Sequence, residues 1–253
     1  MLVFFYDKTF EGLLTAIFDA YSRNFFPDKL LAEGEVAPLF MQDEYTVVTQ
    51  EDRSARVWAA LEKKMTKGAC NMLTHVWLSE EEGSDELLFR YIRKTIDSKI
   101  SIETNFADED VLLMHQLAKK VAHEAQYLRQ FVRFQKAADD IFFSPVYPRY
   151  NALPLAIDHF QDRFSDQKWV IYDMKRRYGY YYDLHTMVEI TLDNTDHFLN
   201  GKLDEKLMAE DEKLFQELWK GYFKSMTIKE RINLKLQRQH MPKRFWKYLT
   251  EKQ

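Results

Sequence analysis

The stretch WVIYDMKRRYGYYYD, residues 169–183, decides how the second half of the chain is read. Two short aromatic and apolar runs, WVIYDM and YGYYYD, flank Lys175, Arg176 and Arg177, the pattern of a β-hairpin with a basic tip. Side chains alternate along a strand, so Tyr178, Tyr180 and Tyr182 share one face, and Gly179, Tyr181 and Asp183 share the other. Two chemistries fit such a face. The rings can pack across strands in a core, or they can stack on nucleic-acid bases while the guanidiniums follow the phosphates.

The flanking segments extend the pattern. RQFVRFQ (129–135) and DDIFFSPVYP (139–148) read as strands, and HTMVEITL (185–192) as a further one. NALPLAIDHFQDRF between them reads as a short helix, with Asn151 as its cap and Pro154 in its first turn. Toward the N-terminus, LVFFY reads as a buried strand. DKTFEGLLTAIFDAYSRNF follows as a helix capped by Asp7 or Thr9 and stopped by Pro27. EYTVVTQ is strand-like and leads into DRSARVWAALEKKM, a helix with Val57, Trp58, Leu61 and Met65 inward. Strands joined through a helix are expected to be parallel. TKGACNMLTHVWLS, ELLFRYIRKTIDS and NFADEDVLLMHQLAKKVAHEAQYL are helical, and so is the chain from about Lys202 onward. The expected fold is α+β in a single compact unit, 1–253: N-terminal strand–helix alternation, a central antiparallel sheet with the hairpin, and a helical C-terminus.

Composition narrows the function classes. Aromatic residues make up 15% of 253, with fourteen Tyr and five Trp, so many rings need packing or stacking partners. The single cysteine, Cys70, excludes an intramolecular disulfide and any self-contained cysteine-ligated cluster, and it reads as core filler. The N-terminus lacks a signal-peptide pattern. No run approaches the ~18 apolar residues of a membrane helix. A cytoplasmic location is expected. The formal net charge of −4 argues against a general nucleic-acid binder, yet charge is polarised along the chain. From Lys220 to Gln253 ten Lys and Arg face two acidic residues, whereas Met1–Gln50 holds three basic and eight acidic. A basic end suits an anionic partner.

Motifs for catalysis are sparse. His159 with Asp162, His115 with His123, and His185 with Glu189 match no established metal-ligand pattern, so no metal site is expected. There is no nucleophile elbow, P-loop or dinucleotide fingerprint, and no cofactor is expected. Asp173 and Asp183 hold hairpin positions that would face each other as an acid–base pair, and Asp158 and His159 are further candidates for an enzyme acting on a modified nucleotide. The feature above background is aromatic–basic interleaving. In RQFVRFQ, Arg129, Phe131, Arg133 and Gln135 would share a strand face. With Trp169, Arg176, Arg177, Tyr178 and Tyr180 they would form a stacking surface, to which Arg238, Lys243, Arg244 and Lys247 at the C-terminal end would add phosphate contacts. Phe245, Trp246 and Tyr248 beside those cations would instead suit a protein interface.

Three stretches together resemble a bacterial family of radical-SAM-linked DNA metabolism proteins: YDKTFEGLLTAIFDAY, then FVRFQ with FFSPVYPRYNALPLAIDHFQDRFSDQKWVIYDMKRRYGYYYD, then ERINLKLQRQHMPKRFWKYLTE. Lys8 departs from the pattern, which has a glycine in that first turn. The resemblance implies a lead, 1–83, followed by a family module of unassigned function at about 84–249, a module also found fused ahead of uracil-DNA glycosylase-like domains. It further implies a role in DNA repair or modification beside a separate radical SAM protein, and it supplies no catalytic residues. The expectation is a nucleic-acid-binding accessory, most readily of DNA. The alternatives are a hydrolase- or glycosylase-type enzyme and a protein–protein adaptor.

Overall fold

The structure is a computed structural model that describes residues 1–192 and 207–252. Contacts group the chain into two units, Met1–Val121 and Ala122–Gln253. The division falls inside the longest helix. Helices and strands occur in both units, so the fold is α+β.

The first unit is built on three parallel strands in the order β2-β1-β3. Strand β1 (Leu2–Tyr6) is central, flanked by β2 (Lys29–Ala32) and β3 (Asp43–Thr46). The parallel arrangement expected for β1 and β3 is present; β2, four residues long, was too short to read from its pattern. Helix α1 (Phe10–Arg23) begins at Thr9, whose Oγ1 accepts the Gly12 N–H at 2.9 Å. It ends at Asn24, in the left-handed region at φ 50°. Helices α2 (Glu51–Lys64), α3 (Lys67–Trp77) and α4 (Ser84–Asp97) follow. The core joins Phe4 and Tyr6 of the sheet to Leu13, Ile17, Leu61, Leu73, Leu88 and Ile92 of these helices. Cys70 is buried among them, and burial pushes its thiol pKa up. Lys8 has φ 57°, a conformation that favours glycine. This explains why a glycine suits that position.

Helix α5 (Glu109–Phe131) runs from the first unit into the second. It corrects the strand reading of RQFVRFQ. Val121, Ala125, Leu128 and Phe131 are all buried at spacings of four, three and three, so helical periodicity persists to Phe131. Arg129, Phe131, Arg133 and Gln135 therefore share no strand face.

The second unit carries a five-stranded sheet in sequential order, β4 (Gln135–Lys136), β5 (Phe142–Val146), β6 (Trp169–Asp173), β7 (Tyr178–Tyr182) and β8 (Met187–Ile190). Its pairs are antiparallel except β5–β6, which is parallel because helix α6 (Ile157–Arg163) lies between those strands in sequence. Helix α6 starts later than expected and has no side-chain cap. Asn151 is occupied elsewhere, its Oδ1 accepting from the Tyr178 hydroxyl. The quoted hairpin is β6–β7, with Asp173 paired to Tyr178 and Trp169 to Tyr182. On one face Trp169 is fully buried against Phe134, Phe160 and Tyr182. On the other, Val170 and Tyr172 cluster with Phe143, Tyr181 and Ile190. Gly179 lies under Tyr172. A Cβ there would come within 2.3 Å of the Ile171 carbonyl oxygen and 2.9 Å of the Tyr172 ring.

The C-terminal part is helical over α7 (Glu212–Met226), α8 (Leu234–His240) and a 3-10 turn at Lys243–Tyr248. The opening of the helix expected from Lys202 lies outside the described residues. No helix among the described residues is long and apolar enough to cross a membrane.

Candidate nucleic-acid interface

The site grows from one buried carboxylate. Asp173 ends β6 at 0% exposure. Its Oδ1 accepts the N–H groups of Lys175 (2.8 Å) and Arg176 (3.2 Å), closing the turn, and its Oδ2 accepts the Arg176 guanidinium at 2.9 Å. Arg177 completes the tip at φ 59°, its N–H bonded to the Asp173 carbonyl. Burial pushes the Asp173 carboxyl up, against the lowering from Arg176 and the two N–H groups.

The Arg176 side chain is only 9% exposed. It also donates to the carbonyls of Pro148 (3.3 Å) and Arg149 (3.2 Å), and the Lys175 ammonium reaches the Arg149 carbonyl at 3.0 Å. The hairpin tip therefore fixes the loop Tyr147–Tyr150 that follows β5. From α5, Glu124, also buried, holds the other side of that loop. It accepts the Arg149 N–H at 2.8 Å and the guanidinium of Arg244.

The 3-10 turn supplies the third side. Side chains three apart eclipse in such a turn. Phe245 and Tyr248 are buried together, while Arg244 and Lys247 point outward. The Lys247 ammonium stands 5.1 Å from the centre of the Tyr147 ring and 4.8 Å from that of Tyr248. Tyr147 is half exposed. Arg149 is exposed on the same loop, Lys175 reaches it from the hairpin tip and Arg244 through Glu124, while Arg177 and Lys243 are exposed one position from Arg176 and Arg244 in sequence. The result is a half-exposed aromatic ring with cations beside it, on a loop held by two buried carboxylates. Burial, then the Asp173 charge, pushes the Tyr248 hydroxyl pKa up. Burial, followed by Tyr180 and Asp173, does the same for Tyr178, and Tyr180 is pushed to about 12 by burial and Glu189. These phenols stay neutral donors at any ordinary pH.

The residues expected from sequence divide into three groups. Arg244 and Lys247 come to this loop, Arg177 and Lys243 are exposed one position from Arg176 and Arg244 in sequence, and the Tyr178 hydroxyl bonds Asn151 just past the loop. Others are turned inward. Trp169 is fully buried, and Phe131 packs against Tyr127 and Phe245, so neither ring is open to a base. Arg176 is spent on carbonyls and Asp173. Tyr180 lies edge-on to Tyr178 at 5.9 Å. A third group lies elsewhere. Arg129 donates to the Leu155 carbonyl, Arg133 pairs with Glu251 at 2.9 Å, and Arg238 is exposed on α8. The sequence also named Phe245, Trp246 and Tyr248 as interface anchors, but Phe245 and Tyr248 are core residues.

The catalytic candidates do not assemble. Asp173 and Asp183 do not face each other, because the hairpin register places them at opposite ends of the paired strands. Asp183 caps its own turn, accepting the N–H groups of Thr186 (2.7 Å) and His185 (2.8 Å), and these bonds lower its pKa to about 2. Asp158 is exposed on α6, and His159 lies edge-on to Phe160. Among the described residues no group of three His, Cys, Asp or Glu could hold a metal ion.

A family model for a domain of unknown function, DUF4130, matches residues 82–251. The chain belongs to the DUF4130 family. Every residue placed at or beside the Tyr147 loop lies within the matched span. No curated protein matches the chain. Among solved structures, the chain is similar to the pGpG-specific phosphodiesterase PggH from Vibrio cholerae, at 9% identity over 89% of this chain and 99% of that one. The TM-score is 0.36, below the level at which two folds correspond.

Sequence reading missed Glu124, Tyr147 and Arg149, and it gave Asn151, Lys175 and Tyr248 other roles, as a helix cap, part of the hairpin tip and an interface anchor. Tyr147 and Arg149 did carry a signal, as a Pro-broken aromatic–basic run (VYPRYN) directly after a strand. Glu124 carried none, being one acid among several on a long helix.

Proposed function

We propose that this DUF4130 protein is a non-catalytic, nucleic-acid-binding accessory in DNA repair or modification, acting beside a separate radical SAM protein. The observation that supports it is the meeting of Arg149, Lys175, Arg244 and Lys247 at the loop that carries the half-exposed Tyr147, with Arg177 and Lys243 exposed next to them in sequence. Cations at that density suit phosphates, whose contacts fix position and carry little sequence preference. A single exposed ring among them suits a base from a single strand, worth roughly 1–3 kcal/mol when stacked. The buried partners Asp173 and Glu124 hold the loop in place and need take no part in contact.

The test is a fluorescence titration with single- and double-stranded DNA and RNA oligonucleotides at two salt concentrations. Binding is expected to weaken steeply with salt and to favour single strands. Arg177→Ala with Lys247→Ala should flatten the log–log salt slope by about 1.4 on a single strand, at about 0.7 per lost phosphate contact. Tyr147→Ala should lower single-strand affinity about tenfold and leave duplex affinity nearly unchanged. Absence of binding at low salt removes the reading. An unchanged slope in the double variant removes this site.

A further inference from the structure

The two edges of the first unit's sheet are finished differently. In a parallel ladder the residues of a strand bond alternately to one side and the other. On β2, Glu33 donates to the Tyr6 carbonyl at 2.9 Å, so the N–H groups of Leu30 and Ala32 point away from β1. Both are taken by carboxylates: Glu86 Oε1 accepts the first at 3.3 Å and Glu35 Oε2 the second at 3.0 Å. That edge is closed. On β3, Val47 donates to the Phe5 carbonyl at 2.8 Å, so the N–H groups of Glu44, Thr46 and Val48 point away from β1. Among the described residues no acceptor meets them. Glu44, Thr46 and Val48 are also exposed. An open edge of this kind pairs with an extended chain that brings its own backbone carbonyls and N–H groups.

Charge selects the occupant. The run Leu30–Asp52, which contains β3, carries six acids (Glu33, Glu35, Asp43, Glu44, Glu51 and Asp52) and no Lys or Arg. The cations nearest to it are engaged or stand elsewhere. Arg23 lies over the Tyr45 ring, 4.5 Å from its centre, Arg53 pairs with Asp19 at 2.5 Å, and Lys29 is on the closed edge strand. Two copies meeting along β3 would bring this acidic run against itself, and nucleic acid or an anionic lipid surface would meet the same repulsion. A basic chain is attracted. The apolar residues narrow its character. In the loop that leads into β3, Val36, Leu39 and Phe40 are each at least 87% exposed, and Val48 past its end is 68% exposed. Side chains alternate along a strand, so a segment with cations on one face and apolar residues on the other suits both features.

We propose that the β3 edge takes a basic, partly apolar segment of a partner protein as an added strand. The experiment is fluorescence anisotropy of the full chain with a labelled, end-blocked peptide of alternating lysine and valine, at physiological salt. Two further peptides serve as comparisons: one with glutamate in place of lysine, and a backbone N-methylated analogue that keeps the charge and cannot form a ladder. The lysine–valine peptide is expected to bind, and each comparison to bind at least about tenfold more weakly. Thr46→Pro deletes an outward N–H and leaves the ladder to β1 intact; it should weaken binding about tenfold. Leu39→Ser with Phe40→Ser, changed only at exposed loop positions, should weaken it by a similar factor, about tenfold. Lys29→Ala, on the closed edge, should leave it unchanged. Circular dichroism checks that each variant is folded, and if Thr46→Pro is not, the serine pair decides. A wild type that does not bind the lysine–valine peptide overturns the proposal. So does equal binding of either comparison peptide, or binding indifferent to the folded variants at positions 46, 39 and 40. A wild type that dimerises in sedimentation equilibrium and is made monomeric by Thr46→Pro overturns it in favour of a second copy.

Discussion

The first unit spends its cations internally. Lys8 sits on Asp85, Arg53 on Asp19, and Arg90 and Lys94 on Asp110. Over Met1–Val121 the sequence has 14 Lys and Arg against 21 Asp and Glu, so acids remain in excess at its surface. The second unit has 22 against 19, and three of its buried carboxylate groups, those of Glu124, Asp173 and Glu251, take an arginine: Arg244, Arg176 and Arg133. The pairing rule is the same, but the surplus has opposite sign. In the second unit what is left over is cationic, and Asp173 and Glu124 gather part of it at the Tyr147 loop. A charged residue's role thus depends on whether its partner is buried, and neighbouring arginines in one turn, Arg176 and Arg177, end up with different work.

That distinction can be broken most forcefully at Asp173. Asp173→Ala leaves the Arg176 guanidinium, 9% exposed, without its carboxylate and opens the turn. The expected loss is about 3–5 kcal/mol in urea denaturation. A loss no larger than that of Arg177→Ala would erase the contrast between the two arginines. Gly179→Ala comes next. Its Cβ must displace the Ile171 carbonyl or the Tyr172 ring, and a cost of about 1–3 kcal/mol is expected by the same measurement. In the first unit, Lys8→Gly should be nearly neutral. It relieves a left-handed residue, worth about 1 kcal/mol, and gives up a partly exposed ion pair of similar or smaller value. A clear loss on Lys8→Gly would mean that the Asp85 pair matters more than the backbone.

The smallest effect concerns acid. Asp183 has its pKa depressed to about 2 by the Thr186 and His185 N–H groups. Its contribution is therefore complete above the ordinary carboxylate range near 4 and is lost as pH falls toward 2. Asp183→Ala should flatten the stability profile in that window and nowhere else, read by thermal melts from pH 5 downward.

Much of the fold was legible because local rules act alone there. Thr9 caps α1, Gly83 precedes α4 and the β6–β7 hairpin lies where its turn chemistry placed it. The site was legible only in part. Arg244 and Lys247 were visible as cations, but their meeting with Tyr147 and Arg149 depends on contacts between residues about 100 to 120 positions apart.

The sequence by itself determined the α+β class, the hairpin and its basic tip, the polarised charge and the absence of strong catalytic or metal motifs. These follow from periodicity, composition and short-range spacing. Only the tertiary structure decided that RQF closes a helix, that Trp169 and Phe131 are core, and that Arg176 braces a loop while its neighbour stays outside. It also turned Phe245 and Tyr248 inward and left the β3 edge open. The reason is physical. A strand or helix face can be read from its own repeat, but which face is covered depends on what distant segments bring against it, and burial decides whether an aromatic or an arginine holds the fold or meets a partner.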